Sequence, residues 1–204
     1  MIGREAFAEG ADLEAVAERA TQDATPWSQS ACVSSRFQFI EATPEQADLF
    51  AAALQRRLGV ERRIASVCGP RVPGALREEI DVLREMAPDY TVFGAYDGTG
   101  LVIRFDAPVD FHPDGKIVNV VPVVSLEEAV RHAGAVTQTV GVWPPERKAG
   151  LRDLLASAGA QRIVTLGVAA DGSAGLPHGP SLTTSHSFSG LESANYAMEG
   201  TSAE

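Results

Sequence analysis

Two cysteines and four histidines are the residues of this sequence with the widest range of chemistry. The cysteines, Cys32 and Cys68, stand far apart in the chain. The histidines form no pair at the spacing of a zinc finger; they are His112, His132, His178 and His186. Structural zinc sites take thiolate and imidazole ligands at short, regular spacings, so this spacing argues against structural zinc. Each cysteine is therefore expected to be either a core residue or a nucleophile.

Cys32 is the stronger candidate for a nucleophile. It lies in residues 27–35, a run of small polar residues without periodicity that predicts a loop between a helix and a strand. Backbone N–H groups of such a loop can stabilise a thiolate and hold an oxyanion, which suits attack on a carbonyl or thioester. The alternative is a small buried residue packed under the helix, as free cysteines often are. The pattern around Cys68 favours a structural role.

A cysteine nucleophile needs a base or a cation nearby to lower its pKa. His132 ends a predicted helix, where a positive charge interacts favourably with the helix dipole, so its position needs no catalytic role. His178 and His186 lie in or beside a loose tail. The sequence leaves open which histidine, if any, approaches Cys32.

The segments that position Cys32 alternate between helix and strand. A helix is predicted over 12–24 with Asp12 as its N-cap, then a strand over 36–41, then a helix opened by the capping box Thr43 to Gln46 and ended by Gly59. Further helices are predicted over 73–87, 125–132 and 145–158, and further strands over 90–96, 101–105, 116–124, 135–142 and 161–167. A β-branched strand leading directly into a helix is typical of a parallel sheet covered on both faces, so the fold class is α/β.

Length and composition indicate how many domains the chain can form. The chain has 204 residues, of which 45% are hydrophobic, enough for one packed domain. We predict a domain over residues 1–170 and a mobile tail rich in Gly, Ser and Thr over 171–204.

Charge and hydropathy exclude several classes of function. The 17 basic and 27 acidic residues give a net charge of −10, and this negative field repels nucleic acid and anionic membrane surfaces. No apolar run reaches the roughly 18–20 residues of a spanning helix, and residues 1–5 do not start a signal peptide. The sequence therefore predicts a cytoplasmic protein without a membrane span.

The order of these segments resembles the LuxC-type acyl-CoA reductases, which are fatty-acid reductases of the aldehyde dehydrogenase superfamily. The family nucleophile stands in a stretch like Gln-Gln-Ala-Cys-Ser-Ser, and Cys32 matches it, although Val33 separates Cys32 from Ser34 and Ser35. Residues 136–142 and 158–167 are similar to the family's closing strand–helix–strand, and 177–179 to its Pro-His-Asp-Gly turn. The resemblance covers residues 1–179, and the Ser/Thr-rich stretch 181–204 departs from it.

The resemblance implies a fold and a mechanism. The fold would be a three-layer αβα domain with a mostly parallel sheet, similar to the aldehyde dehydrogenase catalytic domain. Cys32 would attack an acyl-CoA or acyl-carrier thioester, with its own N–H and a second donor holding the oxyanion, and hydride from NADPH would reduce the acyl-enzyme to an aldehyde. Gln138 and Thr139 also match a family segment, but the sequence shows no contact for either.

The resemblance also implies partners. Family members have about twice this length and carry a Rossmann-like cofactor domain in their amino-terminal half, so this chain corresponds to the carboxy-terminal catalytic half. It contains no G-x-G-x-x-G dinucleotide fingerprint. A separate cofactor-domain chain, acyl-transferase or synthetase subunits and a homo-oligomer are the expected partners.

Two other functions are consistent with the same residues. The chain could be a non-catalytic, truncated remnant that acts as an interaction or assembly module. It could also act as a thioesterase, in which Cys32 is acylated and water completes the turnover. Release of CoA without consumption of NADPH would distinguish the thioesterase from the reductase.

Overall fold

The structure is a computed structural model, and it describes residues 1–62, 65, 67–106, 113 and 115–170. Three of the histidines considered above lie outside this described part of the chain: His112, His178 and His186. The turn over 177–179 and the tail predicted over 171–204 also lie outside it.

Five α-helices and six strands follow one another along the described chain in the predicted order. The helices are α1 (Leu13–Ala24), α2 (Pro44–Leu58), α3 (Gly74–Glu85), α4 (Leu126–Ala129) and α5 (Lys148–Ala158). The strands are β1 (Phe37–Glu41), β2 (Tyr90–Phe93), β3 (Leu101–Phe105), β4 (Ile117–Val123), β5 (Thr139–Val142) and β6 (Arg162–Thr165).

The helix starts follow the capping residues of the sequence. The Asp12 side chain accepts a hydrogen bond from the Ala15 N–H at 3.0 Å, as its prediction as N-cap requires. Thr43 and Gln46 form both bonds of the predicted capping box of α2. Ser125 caps α4 in the same way, so three of the five α-helices begin at a capping side chain, whereas no side chain caps α3 or α5.

Several predicted elements are shorter in the structure, and for two of them the cause is visible. The strand expected over 135–142 begins only at Thr139, because Thr137 folds back on Gly134 with two hydrogen bonds of 2.8 and 2.9 Å. The helix expected over 145–158 starts at Lys148, because the preceding residues Pro145–Arg147 form a 3-10 turn.

The strands form one four-stranded sheet in the order β1-β4-β3-β2 and a parallel pair, β5-β6. Strands β1, β4 and β3 are parallel, and β2 is antiparallel to β3, which confirms the predicted hairpin. Ile2 bridges both sheets, because it pairs with Ile40 on one side and Trp143 on the other. The Ile2 N–H donates to Phe39 O at 2.8 Å, and the Gly3 N–H donates to Trp143 O at 2.7 Å.

Helices cover both faces of this combined sheet. On one face, α1 and α2 pack against β3 and β4 in a core that includes Phe50, Leu54 and Val118. On the other face, a second core joins α3, α4 and α5 to the sheet through Ile80, Leu126 and other apolar residues. The protein is thus a three-layer αβα domain with a mostly parallel sheet, as expected. No helix in the described residues is both long and apolar enough to cross a bilayer.

Candidate active site

Cys32 lies in the loop that joins α1 to β1, and its side chain is exposed. Three hydrogen bonds fold this loop back on itself: Ser35 N to Asp23 O at 2.7 Å, Ser34 Oγ to Pro26 O at 3.1 Å, and Ser34 N to Ala31 O at 2.9 Å. The ends of the loop are therefore tied together, and Cys32 stands between them. The alternative of a buried cysteine under the helix is wrong, because the thiol faces solvent rather than the core.

The backbone of this loop is strained just before the cysteine. Trp27, Ser28 and Gln29 have φ angles of 47°, 55° and 72°, in the left-handed region that residues with a Cβ avoid. Such conformations persist only where surrounding contacts hold them, and they occur often at functional sites. The tight loop predicted over 27–35 thus contains a turn whose shape depends on the rest of the protein.

A cleft of about 430 Å³ opens beside Cys32, next to the first residues of β1 and β5. One wall carries Phe37 and Phe39, whose rings stack with centroids 6.1 Å apart. Other lining residues come from the Cys32 loop, from β1, from β5 and the turn before it, and from the residue after β6; they include Ser34, Arg36, Gln38, Val136, Thr137, Gln138, Thr139, Val140 and Leu166. The cleft therefore combines apolar surface with hydroxyl and amide groups, as sites for small organic molecules do.

Of the four histidines, His132 is the one that the described part of the chain places at this cleft. It ends the 3-10 turn after α4, and its ring stacks on Phe39 at 5.1 Å with an interplanar angle of 4°. Cys32 and His132 thus line the same space. Cys68 does not line the cleft; it is exposed on another loop, close to Gly98.

The structure also brings Gln138 and Thr139 to the cleft, where the sequence showed no contact for them. Both residues line it because β5 runs beside Met1, which itself lies next to β1. The Thr139 hydroxyl oxygen is buried without a hydrogen-bond partner among the described residues.

Asp23 is a lining residue that sequence reasoning missed. Its carboxylate accepts the N–H groups of Gly167 and Ala169, both at 2.8 Å. Burial raises the pKa of Asp23, and these two hydrogen bonds oppose that shift. Gly141 lets the carboxylate approach β5, since a Cβ there would stand 2.7 Å from Asp23 Oδ2. An acidic residue at a buried position in the last turn of α1 was the available signal.

The described residues that line the cleft do not fit a whole dinucleotide cofactor. Arg36 is the only arginine or lysine among them, and none of the lining segments is a glycine-rich turn that leads into a helix. Metal ligation has no support either, since the described residues contain no cluster of three or more His, Cys, Asp or Glu side chains.

Solved structures with the same fold are aldehyde dehydrogenases. The chain is similar to gamma-glutamyl-gamma-aminobutyraldehyde dehydrogenase from Burkholderia cenocepacia, with a TM-score of 0.60 and 14% identity over 87% of this chain and 39% of that one. It is similar to salicylaldehyde dehydrogenase from Pseudomonas putida, with a TM-score of 0.59 and 17% identity over 85% and 39% of the two chains. It is also similar to an aldehyde dehydrogenase from Bacillus cereus, with a TM-score of 0.57 and 20% identity over 87% and 39%.

These likenesses show that the chain has the fold of the aldehyde dehydrogenases, and it spans about two fifths of each of these three proteins. No curated protein matches the chain. The sequence model of the family described as acyl-CoA reductase (LuxC) matches residues 1–180, which is most of the chain. This protein therefore belongs to the LuxC family of acyl-CoA reductases.

Proposed function

We propose that this chain carries out the acyl-transfer chemistry of an acyl-CoA reductase, with Cys32 as the nucleophile. The observation that carries the proposal is the position of Cys32. Its thiol is exposed on a strained, closed loop beside a cleft of about 430 Å³, in a chain that belongs to this family. Reactive cysteines occupy such accessible positions, whereas structural cysteines are buried.

The reaction is a transthioesterification. The Cys32 thiolate attacks the carbonyl carbon of an acyl-CoA or acyl-carrier thioester, and a new C–S bond forms as the carbonyl oxygen takes up the negative charge. Collapse of this tetrahedral intermediate breaks the bond to the carrier sulfur, which leaves as a thiolate and takes a proton from water. The acyl group then remains on Cys32 as a thioester.

The residues that line the cleft favour a substrate with an acyl chain. Phe37, Phe39 and Val140 offer apolar surface to a hydrocarbon chain, and Val136 is 84% exposed where it lines the cleft. His132 stands in the same cleft and is the candidate general base for the thiol.

The hydride donor is a separate part of the proposal. Membership of the family favours a nicotinamide cofactor, and we propose NADPH, but the described residues do not form its site. No step that uses the cofactor is therefore assigned to this chain. A separate cofactor-domain chain, or a longer form of this protein, would supply that site.

Intact-mass spectrometry tests the proposal. The chain is incubated with a long-chain acyl-CoA, with and without NADPH, and the wild type is compared with the Cys32→Ala and Cys68→Ala variants. Cys68 is a matched control, because both cysteines are exposed and only Cys32 lines the cleft. The wild type and Cys68→Ala are expected to gain one acyl group, whereas Cys32→Ala gains none.

Other outcomes separate the alternatives. Unchanged acylation of the Cys32→Ala variant would remove Cys32 from the mechanism. Continued release of CoA over many turnovers without NADPH would indicate a thioesterase, in which water accepts the acyl group. If the chain alone is not acylated, the same assay is repeated with the amino-terminal half of a longer relative, and a second negative result would contradict the proposal.

A further inference from the structure

The side chain of Gln29 is 1% exposed, although it belongs to the loop that carries Cys32. Its amide group reaches the first residue of β4 and forms two hydrogen bonds with it. Nε2 donates to Ile117 O at 2.9 Å, and Oε1 accepts from Ile117 N at 3.2 Å. Nε2 also donates to Ser35 O at 3.3 Å, at the other end of the loop.

These bonds extend the ladder between β1 and β4. Strand β1 begins at Phe37, opposite Asn119, whose N–H donates to Arg36 O at 2.8 Å. The N–H and C=O of Ile117 point to the same side as those of Asn119, because alternate residues of a strand face the same neighbour. No residue of β1 lies opposite Ile117, because β1 begins only at Phe37. The Gln29 amide supplies the donor and the acceptor that a peptide group of β1 would have supplied there.

Gln29 is also the last of the three consecutive residues with left-handed backbone conformations, Trp27 to Gln29. Residues with a Cβ leave this region unless other contacts hold them there. The bonds to Ile117 provide such contacts at the end of the turn, three residues before Cys32. They connect the nucleophile loop to a central strand of the sheet.

We infer that Gln29 is a positioning residue for Cys32, whose amide fixes the strained turn to β4 and so sets where the thiolate meets the thioester carbonyl. The inference rests on the proposed function, because it takes Cys32 as the nucleophile. Misplacement of a reacting group by about 1 Å can slow a reaction roughly 100-fold. Loss of the amide should therefore slow the attack without removing the substrate's binding surface.

Single-turnover acylation of the full chain tests the inference. Acylation by a long-chain acyl-CoA is followed by intact mass over a range of concentrations for the wild type, Gln29→Ala and Gln55→Ala. Gln55 is the matched control, since its amide also donates to a loop carbonyl, Gly100 O at 3.4 Å, but that loop joins β2 to β3 and does not carry Cys32. We expect Gln29→Ala to lower the maximal rate at least about tenfold and to change the half-saturating concentration less than about twofold. Gln55→Ala should match the wild type.

The pH dependence of the Gln29→Glu variant is a further test, because it would not be expected if the Gln29 side chain only filled space. A carboxylate offers acceptors only, whereas a protonated carboxyl group offers one donor and one acceptor, as the contacts with Ile117 require. The maximal rate of Gln29→Glu, divided by that of the wild type at the same pH, should therefore rise as the pH falls from about 8 to about 5. The same ratio for Gln29→Ala should stay constant.

Two results would overturn the inference while the proposed function stands. One is a folded Gln29→Ala variant that is acylated at the wild-type rate. The other is a Gln29→Glu ratio that stays constant with pH, and this measurement remains decisive if Gln29→Ala fails to fold. A wild-type chain that takes up no acyl group, either alone or with the amino-terminal half of a longer relative, contradicts the proposed function and with it the role of Gln29. This pattern differs from both results above.

Discussion

Glu41 is a buried carboxylate at the end of β1, and its partners show how single side chains hold the amino-terminal segment in place. It accepts hydrogen bonds from the Arg4 side chain at 3.0 Å, from the Arg4 N–H at 3.1 Å and from Arg147 at 3.2 Å. Burial alone would raise the pKa of Glu41, but the hydrogen bonds and the charges of both arginines outweigh it and lower the pKa to about 2.

The low pKa makes the contribution of Glu41 dependent on pH. Because the pKa in the folded protein lies below the ordinary value of 4.5, ionised Glu41 stabilises the fold above about pH 4.5, and this stabilisation is lost as the pH falls towards about 2. We expect Glu41→Gln to lower the free energy of unfolding by about 2 kcal/mol at pH 7 and by clearly less at about pH 3.

Urea unfolding at both pH values measures this difference. Glu79→Gln is the control, since Glu79 is exposed on α3, and it should leave the free energy of unfolding unchanged. An equal loss for Glu41→Gln at the two pH values would show that the ionised carboxylate is not the source of the stabilisation.

The residues of the candidate site differ in how far the sequence could predict them. Cys32 could be found because its loop is marked by local composition. Gln29 and Asp23 could not be assigned their roles, because the groups they bind lie 88 and 144 positions away. Local periodicity contains no information about such contacts, so the positioning of Cys32 became visible only in the folded chain.

Two glycines of α5 show how the structure of an element decides the effect of a substitution. Gly150 lies inside the helix with open space around its Cα, so an added methyl group would meet nothing within 4 Å. Gly159 ends the helix with a φ of 105°, and a Cβ there would stand 2.9 Å from the backbone of Ala135. The same change at the two positions should therefore have opposite effects.

Gly150→Ala is expected to raise the free energy of unfolding by about 0.5–1 kcal/mol, because alanine loses less conformational entropy in a helix. Gly159→Ala is expected to lower it by more than about 1 kcal/mol, because the left-handed cap excludes a Cβ. Chemical denaturation of the two variants beside the wild type gives both values. Changes of the same sign would contradict this account of α5.

Element types followed from the sequence more reliably than element lengths. The capping box of α2, the β-branched run of β4 and the hairpin of β2 and β3 all act over a few residues, and each formed as predicted. The late start of β5 depends on the hydrogen bonds between Gly134 and Thr137, which compete with the strand for the same backbone groups. Such local competition is not visible in a hydrophobic pattern.

For the whole molecule, the short segment Met1–Gly3 determines how the site is assembled. It lies between β1 and β5 and joins the two sheets through Ile2, which is fully buried. The Cys32 loop leads into β1, whereas Gln138 and Thr139 lead into β5, so the two sides of the cleft meet through this segment. Three residues are too few for a periodic pattern, which is why the combined sheet could not be predicted from local sequence.

Locating the adduct by peptide mass spectrometry tests most directly whether Cys32 accepts the acyl group. After incubation with a long-chain acyl-CoA, the wild-type chain is digested and the peptides that contain Cys32 and Cys68 are compared. We expect one acyl group on the Cys32 peptide and none on the Cys68 peptide. An acyl group on Cys68, or equal labelling of both exposed cysteines, would contradict it.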